Sequence, residues 1–304
     1  MNKPKEVIRS ENIISELQFK VSSFFLDLSS KNFTDEVNWN RPEGGGGKSI
    51  TIANKHIEKA ACNFSSINGS KLPTSSLATK ITKRGIERFH ATGLSVISHP
   101  VNPKVPTSHL NIRIFKTFDK RGQLKDFWCG GGYDLTPYIP FRGDSNLWHK
   151  NAKLCLDKFN KDFYTKFSKN CDDYFFLPHR NEKRGIGGIF FDSIRLKNID
   201  KCLELLTSIV ESYISSYKKI CHRRINLPYS KEERLFQEYR RSRYVEFNLL
   251  HDRGTKFGIE SGGRADSILA SLPPIVLWPP IKDKYLLSME RKLLRHINHS
   301  WSIK

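Results

Sequence analysis

Apolar residues recur at three- and four-residue spacing between residues 11 and 30, where Ile14, Leu17, Val21, Phe24, Phe25 and Leu28 line one face of an expected amphipathic helix. The run Gly44 to Gly47 ends the linker that follows, and residues 50 to 70 read as extended and turn-rich. From Thr107 to Phe115 the pattern changes to strict alternation. Leu110, Ile112 and Ile114 fall on one face of a predicted strand, and His109, Asn111 and Arg113 on the other. Helical spacing returns at 145–169, through Trp148, Ala152, Cys155, Phe159, Phe163 and Phe167. Gly185 to Phe191 is a glycine-rich entry into an apolar strand. Residues 199–218 predict a helix and 230–241 a shorter one, 243–250 alternate as a strand, and 265–271 begin a short helix cut off by Pro273-Pro274. This mixed order is not a regular β-α-β alternation. It predicts an α+β fold with a large, mostly antiparallel sheet and no internal repeat.

Charge changes the picture less than its size suggests. The chain of 304 residues carries a formal charge of +20, which invites a nucleic-acid partner. The surplus is mostly lysine in a sequence also rich in Asn, Ile and Ser, the composition that drift toward A/T-rich codons produces. The basic residues are diffuse, so no nucleic-acid partner is expected, and a basic nucleic-acid-binding protein is kept only as a rival reading. No apolar run reaches the ~18 residues of a membrane span. Met1 to Ser10 lacks the apolar stretch of a signal peptide, so a cytoplasmic protein is expected. The cysteines Cys62, Cys129, Cys155, Cys171, Cys202 and Cys221 form no C-x-x-C pair and are expected to be free thiols.

Several stretches carry candidate chemistry. Gly47-Lys48-Ser49 mimics the end of a phosphate-binding loop, but that motif needs a glycine where Pro42 stands. The remaining readings are a turn, or a loop whose amides and Lys48 meet an anion. His109 is the most suggestive histidine because it shares a face with an amide, Asn111, and a fixed cation, Arg113. His99, His149 and His179 make no H-x-H or H-E-x-x-H pattern; a metal-dependent hydrolase built on them is a second rival reading. Asp134 follows Gly130-Gly131-Gly132, where it either accepts hydrogen bonds from ligand N–H groups or caps a turn over Thr136. Asp192 has a similar setting, and Asp252 before Arg253-Gly254 reads as closing a turn. Arg113 and Arg264, the latter after Gly262-Gly263, are suited to fork onto carboxylates.

A collinear set of segments then resembles one family. It runs through Phe89-His90-Ala91-Thr92-Gly93-Leu94-Ser95, His99-Pro100-Val101-Asn102-Pro103 and Val105 to Arg113, then Gly130 to Tyr138, His179-Arg180-Asn181-Glu182 to Asp192, and Arg243 to Leu249. It continues in Asp252-Arg253-Gly254-Thr255, Gly262-Gly263-Arg264, Ser267-Ile268-Leu269 and Leu272-Pro273-Pro274. Together these resemble the oxygen-dependent coproporphyrinogen III oxidases over roughly Gly44 to Trp278. The resemblance implies a single domain over 1–304, with 1–43 as an N-terminal helix and linker and 279–304 as a divergent tail. It implies a curved sheet covered by helices on both faces, and a homodimer with contacts from about 244–279. It implies coproporphyrinogen III as substrate, O2 as co-substrate, no organic cofactor, and oxidative decarboxylation of the ring A and B propionates to vinyl groups. Carried over by position, Ser95, Asn111, Ile112, Arg113, Gly262, Gly263 and Arg264 would contact substrate. His109, Asp134, Arg113 and Asp252 would serve binding and turnover, with His109 as proton donor. His99, His109, His149 and His179 would be ligands for a divalent metal of the manganese type. Lys48, Cys129 and Leu277 depart from the family pattern, as does the tail after Trp278.

Overall fold

The structure is a computed structural model that describes residues 3–42, 44–70, 86, 88–260 and 264–303. It begins with helix α1 (Lys5–Leu26), followed by six strands: β1 (Asn32–Asn40), β2 (Gly45–Asn54), β3 (Ile57–Gly69), β4 (Arg88–Pro100), β5 (Thr107–Phe118) and β6 (Leu124–Thr136). These form an antiparallel meander in which each strand pairs with the next. Helices α2 (Arg142–Leu156) and α3 (Phe163–Tyr174) and a small hairpin, β7 (Phe176–Leu177) with β8 (Glu182–Lys183), precede β9 (Gly187–Ile194). Strand β9 returns antiparallel to β6 and completes a seven-stranded sheet. The glycine run expected in a turn mostly lies within β2, with Gly46 and Gly47 paired to Asn40 and Trp39.

One face of the sheet packs on α1, α2 and α4 (Ile199–Arg224). The alternation predicted in β5 explains this. Leu110, Ile112 and Ile114 are fully buried, and they join Ile14, Leu17, Val21 and Phe25 of α1 and Leu206, Val210 and Tyr213 of α4 in one cluster. Helix α4 is capped by Asn198, which accepts from the Lys201 amide at 2.9 Å, and its last turn holds His222, Arg223 and Arg224, placing positive charge at the negative end of the helix dipole. On the opposite face lie α5 (Lys231–Leu250), α6 (Arg253–Glu260) and α7 (Ala265–Ile268). Tyr244 of α5 packs there on Ala61 and Ile97, and Lys59, Asn63 and His99 bond to backbone oxygens of Leu272, Ser267 and Ser271. Helix α8 (Lys284–Ile297) returns to the core, where Leu286, Leu293, Ile297 and Trp301 are buried.

Two expectations are corrected. The 145–169 stretch is two helices, broken between Leu156 and Phe163 where Asn160 caps a turn onto the Asp162 amide at 2.8 Å. The 243–250 stretch is not a strand but the second half of α5. Ser230 and Glu233 form a reciprocal capping box that starts this helix, and nothing stops it before Leu250. Its buried stripe runs Phe236, Arg240, Arg243, Tyr244 and Phe247, at helical spacing but written partly in arginine. Those arginines are buried because carboxylates meet them: Arg240 reaches Glu182 at 2.9 Å and Glu290 at 3.0 Å, Arg241 reaches Glu58 at 2.9 Å, and Arg243 reaches Glu182 at 3.1 Å.

A second buried polar group stands apart. Lys116 of β5 is fully buried on the α1 side, 3.3 Å from His90 Nδ1. His90 Nε2 lies 2.9 Å from Ser66 Oγ, which donates to Glu11. Burial pushes the Lys116 amine down to about 7, against the opposing pull of Glu11 and Glu6. The unfolded amine titrates near ~10.4. The folded chain therefore binds fewer protons between those values, and the penalty is fully present below pH 7 and fades as pH rises toward 10. Lys116→Met is expected to stabilise the protein at pH 6 by ~1 kcal/mol or more, with the gain shrinking by pH 9.5. Urea midpoints at the two pH values check this; a variant less stable than the parent at pH 6 would show that the ammonium contributes net stability.

Candidate active site

The face of the sheet opposite α1 and α4 is built mainly of small residues around one arginine. Register places Ile97, Ser95 and Gly93 of β4 beside His109, Asn111 and Arg113 of β5, and these beside Asp134, Gly132 and Gly130 of β6. His109, Asn111 and Arg113 are half-buried. The glycines are required. Gly132 has φ 147°, and a Cβ there would fall 1.9 Å from the Ile189 oxygen. A Cβ on Gly130 would meet Asp192 Oδ1 at 3.0 Å and Arg113 Nη2 at 3.2 Å. The result is a floor made of backbone and small side chains. The ends of the 253–272 segment sit on opposite sides of it. Arg253 lies over the rings of Tyr174 and Phe190, whereas the Ser267 oxygen is held by Asn63 of β3.

At one end of this floor, Asp134 is 2% exposed and lies within β6, not in a turn. Arg184 Nη2 donates to both of its oxygens, at 2.9 and 2.8 Å, and His109 Nδ1 lies 2.9 Å from Oδ1. Burial pushes the Asp134 carboxyl up, but the charge of Arg184 and the His109 contact pull further the other way, and it is held below the usual carboxylate range. An ionised carboxylate only accepts, so His109 carries its proton on Nδ1 and Nε2 is left as the working nitrogen. Arg184 is buried and has its guanidinium 4.0 Å from the Phe175 ring centre, 4.5 Å from Tyr244 and 4.6 Å from Phe247. Carboxylate, imidazole and caged guanidinium thus fix one another. The expectation that Asp134 meets ligand N–H groups directly finds its oxygens already engaged.

Along the floor from this cluster, Arg113 Nη2 pairs with Asp192 Oδ1 at 2.8 Å, and Arg253 approaches Asp192 Oδ2 at 3.8 Å. Two cations share one carboxylate, which leaves a net positive charge for an anion. Arg264 sits at the start of α7, partly exposed, with Asp266 as a loose partner at 3.5 Å. Ser95 and Asn111 are directly paired on the floor, while Ile112 points into the core. Gly262 and Gly263 lie outside the described residues. Asp252 closes the start of α6, accepting from the Thr255 amide at 2.7 Å and from Tyr174 Oη at 2.8 Å. Lys48 projects from the α1 face of β2, toward Glu36 at 2.6 Å, and not onto the floor.

The four histidines carried over as metal ligands do not converge. His99 lies near Thr107 Oγ1 and the Ser271 oxygen, His149 near Tyr164 Oη and the Ile186 oxygen, and His179 near His251 and Glu246. His109 has Asp134. Each of the first three has both ring nitrogens engaged, and His149 projects from α2, on the far side of the sheet from His109. Burial pushes the His149 imidazole down to about 4 and the His99 imidazole well below its ordinary range. Among the described residues no group of three or more His, Cys, Asp and Glu is placed to hold a metal ion. The residues present therefore do not fit a shared four-histidine site.

Arg184 and Arg253 were missed by sequence reasoning. Arg184 stands between Lys183 and Gly185 with no periodic signal, and only the fold shows that Phe175, Tyr244 and Phe247 surround it. Arg253 was visible inside Asp252-Arg253-Gly254, where a turn accounted for it. The six cysteines are free and buried, and no helix among the described residues is long and apolar enough to cross a membrane.

Comparison with known proteins follows the same line. Residues 9–301 match the family model described as coproporphyrinogen III oxidase. An oxygen-dependent coproporphyrinogen-III oxidase of Coxiella burnetii (strain Dugway 5J108-111) is 44% identical over 268 residues, which cover 88% of this chain and 86% of that protein.

Proposed function

Because this chain belongs to the coproporphyrinogen III oxidase family, we propose that the open face of its sheet is where the substrate binds and reacts. The activity is the oxygen-dependent oxidation of coproporphyrinogen III in haem biosynthesis, an oxidoreductase reaction with O2 as co-substrate. The observation that carries the siting is the placement of one proton-handling cluster, His109–Asp134–Arg184, on the same small-residue floor as Arg113, Asp192 and Arg253.

The chemistry divides between these groups. The ring A and B propionates become vinyl groups giving protoporphyrinogen IX. For each, the carboxylate leaves as CO2, and the side-chain carbon bonded to the pyrrole gives up one hydrogen. Two electrons pass to O2, which with that hydrogen and one further proton leaves as H2O2. The electron-rich pyrrole supplies the conjugation through which the electrons leave, so no organic cofactor is needed. Arg113 and Arg253 grip propionates, using charge that Asp192 only half neutralises, and Arg264 adds a further cation. His109 Nε2 holds and moves the proton, and Asp134 acts through His109 by fixing its tautomer and orientation. The rings of Phe175 and Phe190 keep water from that end of the floor. Asp252 contributes by setting the start of α6, which places Arg253. No step is assigned to a metal, because the four-histidine set does not come together.

A homodimer belongs to the same reading. It is supported by Leu249, Leu250, Ile259, Leu269, Ile275 and Trp278, large apolar side chains left exposed within the 244–279 segment. The cytoplasmic location rests on the family alone.

Aerobic incubation with coproporphyrinogen III, beside oxygen-free and chelator-treated samples, tests the function, with product read as protoporphyrin fluorescence after chemical oxidation and separation. Oxygen-dependent product is expected; product formed equally without oxygen would overturn the reaction. Arg113→Ala in the same assay is expected to raise KM by roughly 10- to 100-fold, the cost of losing charge-assisted hydrogen bonds of ~1.5–3 kcal/mol. An unchanged KM would remove Arg113 from substrate binding.

A further inference from the structure

Hydrogen-bonding side chains on the open face do not stop at β5. Asn111 is paired with Ser95 of β4, Ser95 with Asn63 of β3, and Asn63 with Ser49 of β2. Directly paired residues in an antiparallel sheet point to the same side. The four side chains therefore make one row across the sheet, about 14 Å from end to end at ~4.8 Å per strand. Only the Asn111 and Ser95 end of this row was anticipated from the sequence.

Two atoms at the other end are conspicuous. Ser49 Oγ and Asn63 Oδ1 are buried and have no hydrogen-bond partner among the described residues. An unmet buried polar group costs ~1–3 kcal/mol, which a ligand that meets it returns as affinity. The orientation of the Asn63 amide is set by its neighbour: Nδ2 lies 3.3 Å from the Ser267 oxygen, which can only accept. Nitrogen therefore faces Ser267, and the free end of Asn63 is an acceptor.

The row contains no charged side chain. Carboxylates are served by Arg113, Arg253 and Arg264, so neutral acceptors between them suit neutral donors. The reduced macrocycle offers four pyrrole N–H donors and no ring acceptor. Asp134 is poorly placed to meet them, since both of its oxygens are held by Arg184. We propose that Ser49 and Asn63 are substrate-binding residues whose Oγ and Oδ1 accept hydrogen bonds from pyrrole N–H groups, and that Asn63 selects the reduced macrocycle over its oxidised form. The oxidised porphyrin keeps the four propionates but exchanges two N–H donors for two imine acceptors, which face the Asn63 oxygen unfavourably because an amide oxygen cannot donate. This proposal rests on the reading that the open face binds coproporphyrinogen III.

The test compares two ligands on one variant. Ser49→Ala/Asn63→Leu is assayed for turnover of coproporphyrinogen III and for competitive inhibition by coproporphyrin III. Loss of two neutral hydrogen bonds of ~1 kcal/mol each raises KM roughly 30-fold, while kcat and the Ki of coproporphyrin III stay within about threefold. An unchanged KM, or KM and Ki rising by the same factor, would overturn the proposal, the second because carboxylate grip or general distortion moves both ligands alike. Failure of the unmodified chain to turn over coproporphyrinogen III, with fold intact by circular dichroism, would instead bring down the reading on which the proposal rests. Ser49→Ala alone removes one oxygen and little packing. It is expected to raise KM about fivefold, and Asn63→Ala alone carries the ratio test at the same size, so a double variant that fails to fold leaves the proposal open to refutation.

Discussion

Asp134→Ala is expected to abolish measurable turnover and to lower stability by about 3–5 kcal/mol, and adding Arg184→Met is expected to recover most of the stability and none of the turnover. The reason is the company Arg184 keeps. Its guanidinium is enclosed by Phe175, Tyr244 and Phe247, and Asp134 is the carboxylate that meets it, at 2.8 Å. Removing the carboxylate strands a charge in an aromatic cage. Removing both leaves a hole that a methionine of similar length can fill. Turnover does not return, because His109 has lost the group that fixes its tautomer. The pH dependence has a definite sign. The Asp134 carboxyl is held below its ordinary value in the folded chain. Its stabilisation is therefore present above the unfolded value near ~3.9 and is lost as pH falls through the folded value. The gap between parent and Asp134→Ala should be widest near neutrality and close in acid. Denaturation midpoints measured from pH 7 down to about pH 2, with turnover measured at neutral pH alongside, check all three statements. Single and double variants of equal stability would mean that Arg184 is not the group left stranded.

His109→Ala is expected to lower kcat by roughly 10²–10⁴-fold with KM within about threefold, the range for loss of a positioned proton-transfer group. Stability should change by under ~1 kcal/mol, since the imidazole is half-buried and Arg184 still satisfies Asp134. His109→Gln sharpens the result. Its amide nitrogen can donate to Asp134 much as Nδ1 does, but it cannot take up a proton, so it should match the parent in stability and the alanine variant in kcat. Steady-state kinetics with coproporphyrinogen III decides between roles. A raised KM with kcat intact would make His109 a binding residue and move the proton transfer elsewhere.

The sheet and the polar face of β5 were legible because alternation is a local signal: Leu110, Ile112 and Ile114 against His109, Asn111 and Arg113 need no knowledge of neighbours. The second half of α5 was not legible. Arg240, Arg241 and Arg243 occupy buried positions, so a reading that counts only apolar residues sees alternation where there is a helix. What makes those positions habitable is Glu58, Glu182 and Glu290, which lie on β3, β8 and α8. Arg184 was hidden for a similar reason, its role being defined by residues from three other segments. The histidines differ from expectation in the opposite sense. They were grouped by resemblance, yet His99, His149 and His179 each find their own partners in different parts of the fold.

Helix α8 links these points to how the chain is made. Glu290 accepts from Tyr239 and Arg240 and lies 3.4 Å from Arg243, while Trp301 donates to the His296 oxygen and is buried in the core. These residues leave the ribosome after every element they hold. Until then α5, which carries Tyr244 and Phe247 of the cage around Arg184, lacks one of the three carboxylates that its arginines share. A nascent chain that has emerged only as far as Lys282 therefore has its whole sheet but an unfinished wall beside His109. Competence should appear late and abruptly during synthesis, and chaperones that shield emerging chains would meet arginines on α5 that still lack Glu290.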